Sequence, residues 1–109
     1  MKLMTKEIEE RLSKYPIGSQ GDMGEDAICL CKFFNPFGSG TWLVTEAEKL
    51  ENDDWNFFGP ACMFGEWDWG FFRLSQLEKI KMTAGPIVLG GVERDICCDG
   101  TLTVGEMLN

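Results

Sequence analysis

The sequence contains no histidine, and this absence removes the commonest general base of enzyme active sites. Nucleophilic catalysis by serine or cysteine ordinarily depends on a neighbouring imidazole, so the usual triads and dyads are excluded. The glycine-rich stretches lack the lysine of a phosphate-binding loop, and no EF-hand loop occurs. We therefore predict neither a catalytic site nor a bound cofactor.

Long hydrophobic runs are also missing. No stretch approaches the roughly 18 apolar residues that a membrane span requires. The first residues, Met1 to Lys14, are charged and helix-forming, which is unlike the apolar centre of a signal sequence. The five cysteines are an odd number and predict reduced thiols, not a disulfide framework. Together these features predict a cytoplasmic protein.

Basic residues are scarce. The chain has 10 Lys and Arg against 18 Asp and Glu, which gives a net charge of −8. Phosphate backbones and anionic lipid surfaces repel such a chain, so non-specific nucleic-acid binding and membrane binding are poor interpretations. A basic protein partner fits this charge, and so does a surface that imitates nucleic acid.

The apolar residues predict one α+β domain over residues 1–109, built on an antiparallel sheet of about four to five strands. An N-terminal helix over Lys6–Lys14, capped by Thr5, and short later helices should pack on it. Capping boxes at Ser75–Glu78 and Thr103–Glu106 predict the later helices. The predicted strands are Ala27–Phe34, Thr41–Thr45, Trp55–Phe58 with an extension to Met63, Glu66–Arg73 and Val92–Cys97. The predicted loops include Glu46–Asp54, as a loop or short helical turn, and the glycine-rich Thr83–Gly91.

The order of several short segments resembles the domain-of-unknown-function family numbered 2958. The matching segments are Leu3–Ile8, Lys32–Pro36, Trp42 with Thr45-Glu46, Phe57–Gly59, Gly70–Phe72, Leu74–Glu78 and Val92–Asp95. The resemblance implies a small protein of bacterial mobile elements or phages, and it implies no activity and no catalytic residues. The cysteines are not part of the family pattern.

Four cysteines are the candidates for a metal site. Cys29 and Cys31 point the same way if the strand is regular, and the pair Cys97-Cys98 could add soft thiolate ligands for zinc. The spacing of a zinc knuckle is absent, however, so we interpret these thiols as packed core residues. A carboxylate- or thiol-dependent metal-binding or enzymatic module is the alternative function.

The segment from Trp55 to Phe72 holds eight aromatic residues. In its second strand Trp67, Trp69 and Phe71 share one face, which we interpret as core under a helix. A stacking platform for single-stranded nucleic acid is a further alternative, although its flanks, Glu66 and Asp68, are acidic. A partly exposed tryptophan would instead indicate a protein-binding hot spot.

The leading hypothesis is a non-enzymatic interaction protein that engages a basic host protein, for example by inhibiting a nucleic-acid-binding or defence protein. Acidic surface and nearby aromatic residues would make the contact. The predicted partner-binding residues are Glu46, Glu48, Glu51, Asp53, Asp54, Trp55 and Trp67.

Overall fold

A six-stranded antiparallel sheet forms the centre of the protein in the computed structural model, which describes residues 2–108. Its strands are β1 (Cys31–Phe34), β2 (Thr41–Val44), β3 (Glu46–Lys49), β4 (Trp55–Met63), β5 (Glu66–Arg73) and β8 (Glu93–Arg94). A separate hairpin consists of β6 (Lys81–Ala84) and β7 (Ile87–Gly91), and the helices are α1 (Lys6–Leu12), α2 (Leu74–Lys79) and α3 (Val104–Leu108). The predicted α+β class is confirmed, with six strands where four or five were expected. Met1 and Asn109, the ends of the predicted domain, lie outside the described residues.

β8, β1 and β2 lie side by side in that order, β2 and β3 both pair with one edge of β4, and β5 pairs with its other edge. β2 and β3 form one bent strand along β4, because Trp42 lies opposite Ala61 and Glu46 lies opposite Phe58. Between these two pairs, the bent strand has three intervening residues and β4 has only two. The extra residue on the bent strand is a β-bulge. This bulge lets the strand bend around the core.

The main core lies on one face of the sheet, beneath α1 and α2. Met4, Ile8 and Leu12, which follow one another at intervals of four residues, are buried there. The Thr5 hydroxyl accepts a hydrogen bond from the N–H of Ile8 at 3.2 Å, as predicted for the cap of α1. The sheet contributes large rings and aliphatic side chains to this core: Phe33, Trp42, Val44, Trp55, Phe57 and Phe72.

A smaller core covers part of the opposite face. It contains Ala27, Cys29, Leu43, Cys98 and Val104, so α3 closes it. The predicted capping box at the start of α3 is confirmed: the Thr103 hydroxyl accepts from the N–H of Glu106, and the Glu106 carboxylate accepts from the N–H of Thr103. The two cores place helices on both faces of the sheet.

Some predicted elements were wrong in extent. The strand predicted at Ala27–Phe34 begins only at Cys31, because the Cys29 N–H donates to the carbonyl of Leu102 and leaves the sheet ladder. The strand predicted at Val92–Cys97 is reduced to the two residues of β8. β8 ends there because the backbone turns at Asp95, whose carboxylate and carbonyl accept from the N–H groups of Cys97 and Cys98.

Other elements were wrong in kind. Glu46–Asp54 was predicted as a loop or short helical turn; Glu51–Asp53 is such a turn, but Glu46–Lys49 is the strand β3. Thr83–Gly91 was predicted to be irregular, yet it contributes to the β6–β7 hairpin. Ser75 was predicted to cap α2 but lies inside it, because both of its donors bond to Asp54.

Candidate interaction surface

β4 and β5 form a hairpin joined by a two-residue turn. The turn residues Phe64 and Gly65 have positive φ angles of 58° and 92°. This conformation matches the twist of paired strands and is the common one for two-residue hairpins. The hairpin pairs without interruption from Met63–Glu66 back to Asn56–Arg73. The predicted bounds of both strands are confirmed, with β4 extending to Met63.

One face of this hairpin carries exposed rings. Trp67, Trp69 and Phe71 have exposed fractions of 39%, 42% and 61%. Phe58 of β4 lies among them, with its ring centroid 6.0 Å from that of Trp69 and 5.0 Å from that of Phe71. These four residues are called the aromatic surface below. The contacts of Phe58 order the rings of Trp69 and Phe71 and leave much of their area open to a partner.

The prediction that Trp67, Trp69 and Phe71 are core under a helix was wrong. The helices cover the other face of the hairpin, where Phe72 is buried with its ring centroid 5.6 Å from that of Phe57. Alternation along β5 separated the two faces correctly. It could not show which face the helices cover.

Charged side chains are exposed at both ends of β5. Glu66 and Asp68 are exposed on the face of β5 opposite the rings, near the turn. Arg73 is exposed at the far end of the same strand. An arriving segment would therefore meet negative charge near the turn and one positive charge near α2.

Two of the predicted partner-binding residues are buried. Glu46 accepts hydrogen bonds from the N–H groups of Gly18 and Gln20, at 2.7 and 2.9 Å, and holds the loop before β1 against the sheet. Trp55 lies in the main core, where its ring stacks on that of Phe57. Neither side chain belongs to an exposed surface.

The other predicted acidic residues lie near the end of β3. Glu48, Glu51 and Asp53 are exposed, and the last two border a groove of about 1010 Å³. Lys49 and Arg73 also line this groove, so its charge is mixed. Trp67, the remaining predicted residue, belongs to the aromatic surface.

Asp54 has a structural role at this groove. Its carboxylate accepts from the N–H and the hydroxyl of Ser75 at 2.9 and 2.8 Å, and from the N–H of Trp55 at 2.9 Å. Partial burial alone would raise the pKa of Asp54, but these hydrogen bonds and the charge of Arg73 outweigh it and lower the pKa. Asp54 thereby ties α2 to the start of β4.

The structure brings together two of the four candidate metal ligands. The Sγ atoms of Cys29 and Cys98 are 3.9 Å apart and both residues are buried. Cys31 lies in the main core and Cys97 is exposed. Among residues 2–108, no group of three or more Cys, Asp or Glu side chains is arranged to hold a metal ion.

The close thiols influence each other's ionisation. A hydrogen bond with Cys29 lowers the pKa of Cys98, and the same bond together with burial raises the pKa of Cys29. Burial raises the pKa of Cys31. The three thiols fit the interpretation of small core residues, with Cys98 the most acidic among them.

Sequence reasoning missed Phe58, Trp69 and Phe71 as surface residues. The missed signal was the turn at Phe64-Gly65, which places the adjoining half of the hairpin away from any later helix. The carboxylates at Glu66 and Asp68 gave no such signal, because they lie on the opposite face of β5 and so favoured the ring face as the core.

The chain belongs to the family described as "Protein of unknown function (DUF2958)", whose sequence profile matches residues 3–109. The resemblance noted from short segments is confirmed over nearly the entire chain. No curated protein and no solved structure matches it significantly. Within residues 2–108, no helix has the length and apolar character to cross a bilayer.

Proposed function

We propose that this DUF2958 protein is a non-enzymatic interaction module that binds a basic protein partner through its aromatic surface. The observation that carries the proposal is the exposure of Trp67, Trp69 and Phe71 on the face of the β4–β5 hairpin that lies away from the main core. Large exposed apolar patches on small proteins mark interaction sites.

The residue types support binding to protein. Tryptophan is enriched at the energetic centres of protein interfaces, where two or three side chains supply most of the affinity. The contacts of Phe58 with Trp69 and Phe71 restrict the rings before a partner arrives. Less conformational entropy is then lost on binding than with mobile side chains.

The charge of the chain supports a basic partner. The net charge is −8, and Glu66 and Asp68 are exposed on the same strand as the rings, on the opposite face of β5. Glu48, Glu51 and Asp53 add exposed negative charge near the end of β3. Such a field steers a cationic protein toward the rings and increases its rate of association at low salt.

The proposal extends to the setting that the family resemblance implies. In that setting the protein acts in the cytoplasm for a mobile element or phage. Its partner is a basic nucleic-acid-binding or defence protein of the host, which the acidic module inhibits by occupying its cationic surface.

The test is affinity capture from host lysate with three forms of the protein: the wild type, Trp69→Ser/Phe71→Ser, and Ile87→Ser as a control. Ile87 is also exposed but lies in the separate β6–β7 hairpin. We expect the wild type and the control to retain the same basic protein at low salt. The double variant should lose it, and added salt should weaken its retention.

Two results would contradict the proposal. One is equal retention by the double variant, which would place the contact elsewhere. The other is quenching of tryptophan fluorescence by a single-stranded oligothymidylate, with loss of that quenching in Trp69→Ser. The second result would establish the rings as a base-stacking platform in spite of the acidic flanks.

A further inference from the structure

β5 is an edge strand with one paired side. β4 bonds to β5 on one side and to β2 and β3 on the other. No strand among residues 2–108 pairs with the outer side of β5. An exposed strand edge with unpaired backbone groups is a template for adding another strand.

The register identifies the residues whose backbone groups face outward. In antiparallel pairs, opposed residues alternate between those that exchange hydrogen bonds and those that do not. Phe58, opposite Phe71, directs its carbonyl to the N–H of Thr45 on the other side of β4. Pro60, opposite Trp69, has no N–H to offer.

Phe71 and Trp69 are therefore in pairs that do not bond to β4, and by alternation so is Trp67. Their N–H and C=O groups point to the free edge of β5, and these are the same residues that carry the exposed rings. The residues of β5 that offer free backbone donors and acceptors are thus the same residues that carry the row of apolar side chains.

We propose that the partner binds by strand addition. An extended segment that alternates basic and apolar residues pairs antiparallel with β5, and its apolar side chains lie beside Trp67, Trp69 and Phe71. This inference rests on the proposed function and names the chemical form of the partner.

Charge complementarity selects the segment. On the face of β5 away from the rings, Glu66 and Asp68 would lie beside the segment's other side chains, so lysine or arginine fits there. A second copy of this chain would bring the same net charge of −8 to the edge. The charges therefore favour a basic segment as occupant over self-association.

The test uses a synthetic peptide of alternating lysine and valine and two N-methylated forms of it. Directly opposed residues in an antiparallel pair have their side chains on the same face, so the valine N–H groups would bond to β5. Methylation of the valine nitrogens should weaken binding more than about tenfold, since several hydrogen bonds are lost. Methylation of the lysine nitrogens should leave the affinity nearly unchanged.

Amide hydrogen exchange gives a residue-specific readout. On adding the unmodified peptide, the amides of Trp67, Trp69 and Phe71 should exchange more slowly. The amides of Asp68 and Gly70 already face β4 and should change little. Glu66→Gln/Asp68→Asn should weaken peptide binding, whereas Glu10→Gln/Glu78→Gln removes the same charge from α1 and α2 and should have a smaller effect.

The inference is overturned if the peptide does not bind or if neither methylated form differs from the unmodified peptide. Slower exchange without peptide at high protein concentration, together with a dimeric mass, would assign the edge to a second copy instead. If the methylated peptides bind equally but Trp69→Ser abolishes host-protein capture, strand addition is wrong and the proposed function stands.

Discussion

Phe71 and Phe72 are consecutive in β5 and lie on opposite faces of the sheet, with exposed fractions of 61% and 8%. The ring of Phe72 packs against Phe57 in the main core, and the ring of Phe71 contacts Phe58 in the aromatic surface. The two neighbours thus separate the stabilising face of the hairpin from the face that we propose for binding.

Substitution of these two residues should have very different effects on stability. We expect Phe72→Ala to lower the free energy of unfolding by about 3 kcal/mol or more, since it removes a buried ring and leaves a cavity. Phe71→Ala should cost less than about 1 kcal/mol, because its ring is largely in water. Urea unfolding of both variants measures the difference, and equal losses would mean that the burial of the two faces is wrongly assigned.

Gly59 of β4 is required where β4 lies against the bend between β2 and β3. A Cβ added there would overlap the carbonyl oxygen of Leu43, so Gly59→Ala should cost at least about 3 kcal/mol by forcing the strands apart. Gly70→Ala is the matched control, because a Cβ there has open space and alanine suits a strand better than glycine. Thermal unfolding should therefore show a lower midpoint for the first variant only, and a comparable loss in Gly70→Ala would contradict the close approach at Gly59.

Substitutions at Asp54 and Ser75 should lower the free energy of unfolding in proportion to the number of hydrogen bonds that each one removes. Asp54→Ala removes the acceptor of three hydrogen bonds, and we expect a loss of about 2 kcal/mol. Ser75→Ala removes only the hydroxyl donor and should cost about 1 kcal/mol. Asp53→Asn, at a highly exposed neighbour, serves as the control in the same denaturant titrations and should change stability little.

The same carboxylate should make stability depend on pH. The pKa of Asp54 is lower in the folded protein than its ordinary value of 3.8. Its contribution is therefore fully present above that value and is lost as the pH falls toward the lower folded pKa. Between about pH 5 and pH 3 the wild type should lose more stability than Asp54→Asn, and parallel curves would show that Asp54 does not contribute in this way.

Cys29 and Cys98 should form a disulfide under mild oxidation. One molecule of hydrogen peroxide oxidises the two thiols to a disulfide and is reduced to two of water, and the Sγ atoms must close from 3.9 Å to about 2.05 Å. The bond would join residues 69 apart and raise the free energy of unfolding by up to about 4 kcal/mol.

The oxidation is best measured in Cys97→Ser, which removes the exposed thiol. Intact mass should fall by two hydrogen atoms, and the urea midpoint should rise. Cys97→Ser/Cys98→Ser should show neither change. Retention of all thiols in Cys97→Ser after peroxide treatment would mean that packing prevents the closure.

Local patterns in the sequence determined the elements whose signals are local. The Thr5 cap of α1, the capping box at Thr103 and Glu106, and the bounds of β5 were predicted correctly, because caps and strand alternation involve residues close in the chain. The α+β class and the family were likewise evident from the sequence.

Only the tertiary structure decided which of the two faces of β5 is buried. Strand alternation places Phe71 and Phe72 on different faces of β5. Which of these faces becomes buried depends on where α1 and α2 pack. The strand at Glu46–Lys49, in a segment predicted as a loop or short helical turn, was missed for a related reason. Glu46 can occupy a buried strand because its carboxylate accepts N–H groups 28 and 26 residues earlier in the chain, and nothing in the local sequence shows that these donors will be there.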